Sequence, residues 1–232
     1  MASPLLTLIA HDARLQFRYG IYFAYAFVLV FYIAVLLYGG AILPSWFAGL
    51  IIFTDPSVLG FFFLGALMML EKAENTRSAL AIAPISAAHY FWAKSITLTA
   101  VSLIAVSILT PFVHESVNWP MLLAIVGLTS IQFLAIGVPT AFYFKTVTSY
   151  LIGAAGFLIP LVGPGFVALM DPMPVWAILI PAASQFKLIL VATGAGSASI
   201  SEVAAMFTLA TLATIGAVWL ALRSLKRELG HK

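Results

Sequence analysis

The groups with which this 232-residue chain could do acid, base or metal chemistry are four histidines and eight carboxylates, and their spacing serves none of these. His11, His89, His114 and His231 are scattered, with no HExxH and no pair at helical spacing, so a zinc ligand set is missing. No serine stands in a GxSxG frame, and the carboxylates are dispersed along the chain. The lack of cysteine excludes disulfides, thiolate catalysis and cysteine-based metal sites. No GxxxxGK[ST] loop is present to cradle a phosphate. The expectation is a chain without catalytic, cofactor-binding or metal-binding residues.

The charge is instead concentrated in LEKAENTRSALAIAPISAAHYFWAKS, residues 70 to 95, which holds Glu71, Lys72, Glu74, Arg77 and Lys94. Ala73 to Ile82 are mostly good helix formers, and the early acids favour an N-terminal turn. Pro84 stops this helix, and Ser86 is placed to cap the next. A short helix with a charged start and an apolar end suits docking into a groove on another protein. A solvated connector is the alternative.

The elements that position this stretch follow from composition. Hydrophobic residues make up 63% of the chain and charged residues 8%, with a mean hydropathy of +1.10. A soluble surface needs about a quarter charged residues, so this is an all-α integral membrane protein. With roughly 20 apolar residues per crossing, six spans are expected: Tyr19 to Tyr38, Asp55 to Leu70, Ser95 to Phe112, Met121 to Tyr143, Thr148 to Met170 and Val203 to Leu222. Asp55 and Pro56 read as the N-cap and first-turn proline of the second span; the alternative is a longer helix from Trp46, kinked at Pro56. Residues 174 to 191 tempt a seventh span but contain Pro181, Gln185 and Lys187. They are expected, within 171 to 202, to form an outer-face helical hairpin that dips into the membrane and returns. Gly163, Pro164 and Gly165 fit a broken helix end just before it.

With six spans, Arg14, Arg18, Lys72, Arg77, Lys94, Lys145, Arg223, Lys226, Arg227 and Lys232 fall on one side and Lys187 alone on the other. Both termini are therefore expected in the cytoplasm, in the cell membrane. Lys94 has a long stem suited to snorkelling to the headgroups. The N-terminus lacks the features of a cleavable signal peptide. Residues 1 to 18 read as an interfacial helix with Thr7, His11, Arg14 and Arg18 on one face and Leu6, Ile9, Ala10, Ala13 and Phe17 on the other. The alternative is a plain extension of the first span. The whole chain, 1 to 232, reads as one transmembrane domain.

The series Glu71, Lys72, Asn75, Thr76, Leu80, Pro84, Ser86 and Lys94 resembles the signature of type-2 ATP-binding-cassette export permeases. In that signature an acid-basic pair leads to Gly-Thr, Leu, Pro-x-Ser and a lysine entering the third span. Asn75 and Ala93 stand where glycine is usual. The layout is similar too, with an elbow helix, six spans and an outer hairpin before the last. Asp55-Pro56 and the region from Arg14 to Tyr25 look like the fluoroquinolone-export branch. The resemblance implies a membrane subunit that exports a small amphipathic compound using ATP hydrolysed by a separate ATPase. It implies two permease subunits per transporter, and coupling to the ATPase through Glu71, Glu74, Thr76, Arg77, Leu80, Pro84 and Ser86, with residues 74 to 83 as the coupling helix.

Gln132, Phe62 and Asp55 are the candidates for a translocation path. Gln132, near the middle of a span, needs a partner in hydrocarbon, either at a subunit interface or on a neighbouring helix of the same subunit. Phe61, Phe62 and Phe63 point in several directions, most of them toward lipid. A stand-alone secondary transporter or membrane enzyme is the competing class; neither an inverted repeat nor an ionisable residue deep in a span speaks for it. Nothing points to nucleic acid as a partner.

Overall fold

A computed structural model describes residues 4–39, 42–74, 86–113 and 116–228. The helices are α1 (Pro4–Arg18), α2 (Ile21–Gly39), α3 (Trp46–Ala73), α4 (Ala87–Leu109), α5 (Trp119–Ala141), α6 (Val147–Val162), α7 (Pro181–Ala192) and α8 (Ile200–Glu228). Short 3-10 segments cover Thr110–Phe112, Gly163–Leu169 and Val175–Leu179. No strand occurs among the described residues.

Six elements are long and apolar enough to cross a membrane: α2, α3, α4 with its 3-10 extension, α5, α6 with its extension to Leu169, and α8. A helix apolar on all sides is stable only when buried or surrounded by lipid. That is the case for α2, whose Phe23, Phe27 and Phe31 all point outward.

The second span is the long helix from Trp46, and Asp55 is not its cap. A proline inside a helix costs about 3 kcal/mol through its lost hydrogen bond. Burying Ile51, Ile52 and Phe53, each nearly inaccessible, returns about 1.5–3 kcal/mol apiece, so the helix runs on through Pro56.

Near the N-terminus, α1 and α2 are separate helices rather than one extended span. Gly20, at φ +72°, makes the break in a conformation that side-chain-bearing residues rarely adopt.

The bundle is organised around α3, which packs on α4, α5, α6 and α7. At one end Leu64, Met68, Phe91, Phe133 and Tyr150 form a core; toward the other, Phe53 stacks on Phe186 with ring centroids 4.9 Å apart, among Ile52, Val106, Ile125 and Met206. Where α3 meets α6, Gly65 lets the Tyr150 ring lie against the helix backbone, and the Tyr150 hydroxyl donates to the Phe61 carbonyl at 2.6 Å. Phe61 itself is fully buried, against the expectation that the phenylalanine run faces mainly lipid, and Phe62 and Phe63 are half-buried beside the same core.

The 12-residue α7 spans about 18 Å at 1.5 Å per residue, too short to cross. It is enclosed between α3, α5, α8 and the Gly163–Leu169 segment. Its end is fixed at the start of α5, where the Asn118 N–H donates to the Ala192 carbonyl at 2.8 Å. Gln185, near its beginning, lies beside mid-helix Gln132, so α7 runs from the depth of the bundle outward to the start of α5.

Candidate functional site

The charged stretch singled out in the sequence is anchored at both ends by one buried cluster. Lys94, expected to snorkel, is instead only 1% exposed and fully engaged inside the protein. Its ammonium donates to Asp12 Oδ1 at 2.8 Å and to Glu71 Oε1 at 2.5 Å. The Tyr90 hydroxyl donates to the other Glu71 oxygen at 2.5 Å, and the Tyr90 ring lies 4.8 Å from the ammonium. Snorkelling loses because two carboxylates, from α1 and from the last turn of α3, meet the ammonium at short range. Buried charges are tolerated only with such complete pairing.

The cluster continues as a polar seam between α1 and α4. Gln16 donates from Nε2 to Thr97 Oγ1 at 2.7 Å, and the Tyr22 hydroxyl donates to Gln16 Oε1 at 2.9 Å. Asp12 and Gln16 are four residues apart, as are Tyr90 and Lys94, with Thr97 three further on, so each set forms one face of its helix. Burial raises the Asp12 carboxyl above its ordinary range, against the pull of the Lys94 ammonium and with help from the Glu71 charge. Asp12 and Gln16 escaped the sequence reading, which followed the exposed stripe Thr7, His11, Arg14 and Arg18 on the same helix. Their four-residue spacing was the available signal.

Of the expected coupling residues, Glu71 is buried in this cluster. Glu74 ends α3 and faces Arg18 at 3.9 Å across an exposed gap, a pair that contributes little. Ser86 caps α4, accepting from the His89 N–H at 3.1 Å. Thr76, Arg77, Leu80 and Pro84 lie outside the described residues.

The three candidate path residues have separate partners. Asp55, buried within α3, accepts a hydrogen bond from the Tyr25 hydroxyl of α2. Gln132 accepts from Gln185 Nε2 at 2.7 Å, with Thr214 Oγ1 3.4 Å away, so its side-chain carbonyl is satisfied within the subunit. Phe62 sits at the edge of the core. An apolar groove of about 450 Å³ opens between α1, α2 and α4, lined by Tyr22, Tyr25, Leu29, Val101 and Ile104 among others. Among the described residues, no group of three histidines or carboxylates could hold a metal ion.

No protein-family model matches the chain, and no solved structure matches it. Two curated relatives do, both named fluoroquinolones export permease protein, from Mycobacterium tuberculosis strains CDC 1551 / Oshkosh and ATCC 25618 / H37Rv. Each is 26% identical over 154 residues, 66% of this chain, and the chain spans 65% of the relatives' own length. With six helices of membrane-crossing length and these relatives, the chain is a multi-pass membrane protein similar to export permeases of the fluoroquinolone-export kind.

Proposed function

We propose that the chain is the membrane subunit of an ATP-binding-cassette exporter and that residues 74 to 83 dock into a separate ATPase. The observation that carries this reading is the Asp12–Lys94–Glu71 cluster. Glu71 stands four residues before the segment 75–85 and Lys94 nine residues after it, and the ion pair between them holds its two ends together. Asp12 ties the same point to α1. A segment that receives a push from a docked partner needs stiff attachment to the spans it must move, and a solvated connector needs none.

In this reading both termini and the docking segment face the cytoplasm, which the one-sided distribution of Lys and Arg supports. The helix α1 is the interfacial elbow, supported by its separation from α2 at Gly20. The stretch 171–202 is the outer hairpin, supported by a helix α7 too short to cross and returning to the start of α5. Two permease subunits and two ATPases form the transporter, the chain itself supplying no ATP hydrolysis and no cofactor. The whole chain acts as one permease domain. The cargo is a small amphipathic drug-like or lipid-like compound, with fluoroquinolones the first class to test because the relatives bear that name.

The test is co-purification with a co-expressed ATP-binding-cassette ATPase, followed by ATPase stimulation across a panel of amphipathic compounds. Specific association and compound-dependent hydrolysis are expected. Compound transport by the chain without any ATPase would favour a stand-alone secondary transporter instead.

A further inference from the structure

At the opposite end of the bundle from the Lys94 cluster, a cavity of about 370 Å³ lies between the Asp171–Met173 turn, α7 and the start of α8. Its walls include Lys187, Asp171, Glu202 and Ser199, with Met173 and Met206 supplying apolar surface. Lys187 is 6% exposed, yet among the described residues it makes no hydrogen bond and no ion pair. Most of the side chain is buried while its ammonium opens into the cavity, without the paired carboxylates that hold Lys94 in the same protein. Neither nearby acid comes within ion-pair distance of Lys187, although the Glu202 carboxylate feels its charge. One oxygen of Glu202 accepts from the Ser199 N–H at 2.7 Å and the Ser199 hydroxyl at 2.8 Å, which commits that oxygen to the first turn of α8 and leaves the other for a ligand. Asp171 is exposed on the rim.

We infer that this cavity binds an amphipathic zwitterion, its oxyanion on the Lys187 ammonium, its protonated amine near Asp171 and Glu202, and its apolar body against Met173 and Met206. The volume is at the small end of ligand pockets, about 300–1,000 Å³, and suits a headgroup or a compact compound rather than a polymer. A phospholipid headgroup and a free zwitterion share this chemistry. The inference goes beyond the coupling reading and does not depend on the ATPase.

The permease is purified alone in a non-ionic maltoside detergent and titrated calorimetrically with dihexanoyl phosphatidylethanolamine, phenylalanine and phenylalanine methyl ester. Wild type binds one or both zwitterions. Lys187→Met weakens that binding about tenfold or more, as loss of a charge-assisted hydrogen bond requires, whereas Lys187→Arg retains it. Binding of the phosphatidylethanolamine alone identifies a lipid-headgroup site, and binding of phenylalanine but not its ester identifies a site for a free zwitterion. The ester comparison uses only wild type, so it decides even if Lys187→Met misfolds. Absence of both zwitterions from wild type, unchanged binding in Lys187→Met, or an ester bound as tightly as the acid overturns the inference. Because no ATPase is present, that result leaves the coupling reading to its own test.

Discussion

Lys94 and Asp12, 82 residues apart in the chain, meet at 2.8 Å with both side chains almost sealed from solvent. The contact fastens α1 to the start of α4, and through Glu71 to the end of α3. Three helices thereby share one charge.

Removing that charge should be costly. Lys94→Met leaves two buried carboxylates facing each other, a loss of about 3–5 kcal/mol for breaking a buried pair from one side. Thermal unfolding in detergent should show a large drop in midpoint, and combining Lys94→Met with Asp12→Asn and Glu71→Gln should recover much of it. A single variant as stable as wild type would mean that the cluster is not holding the helices.

The raised pKa of Asp12 gives a pH signature. A folded-state pKa above the unfolded one means that the folded protein binds this proton more tightly. The stabilisation is complete below the ordinary carboxylate pKa of about 4 and disappears as pH rises through the folded value. Measured against Asp12→Asn from about pH 4 upward, wild type should therefore lose relative stability. A relative gain over that range would contradict the burial argument.

Packing makes a separate prediction at Gly65. A Cβ added there runs into the Tyr150 ring, which is itself fully buried and hydrogen-bonded to Phe61. Gly65→Ala should destabilise by about 1–3 kcal/mol, read as a lower unfolding midpoint. Adding Tyr150→Leu should relieve part of the loss, because the clashing ring is gone.

Membrane topology can be read by labelling. A cysteine introduced at an exposed position such as Pro172 or Ser197 should react with impermeant reagents from outside intact cells, and a cysteine at 226 should not. Reaction at 226 from outside would reverse the orientation.

What the sequence made legible was what hydropathy and periodicity encode. The number of crossing helices, the break at Gly163–Gly165 and the cap at Ser86 follow from local residue chemistry. The errors came where tertiary contacts decide. Asp55-Pro56 carries a strong helix-start signal, but neighbouring apolar burial outweighs it. Lys94 has a stem suited to snorkelling, but the outcome depends on where Asp12 lies in space, and nothing local to Lys94 encodes that. Lys187 read as a count in a charge balance, because its place in a cavity beside Asp171 and Glu202 is a matter of geometry.

Leu80→Asp tests the docking of residues 74 to 83 most directly. A carboxylate placed without a partner in a protein contact costs on the order of several kcal/mol, and in a solvated connector almost nothing. Arg77→Lys serves as a milder companion, since it keeps the charge and loses only bidentate geometry. The measurement is export by cells expressing permease and ATPase, together with the amount of ATPase that co-purifies. The prediction is normal insertion and abundance of Leu80→Asp, weakened ATPase association and lost export; wild-type export with the ATPase still bound would contradict the docking role of residues 74 to 83.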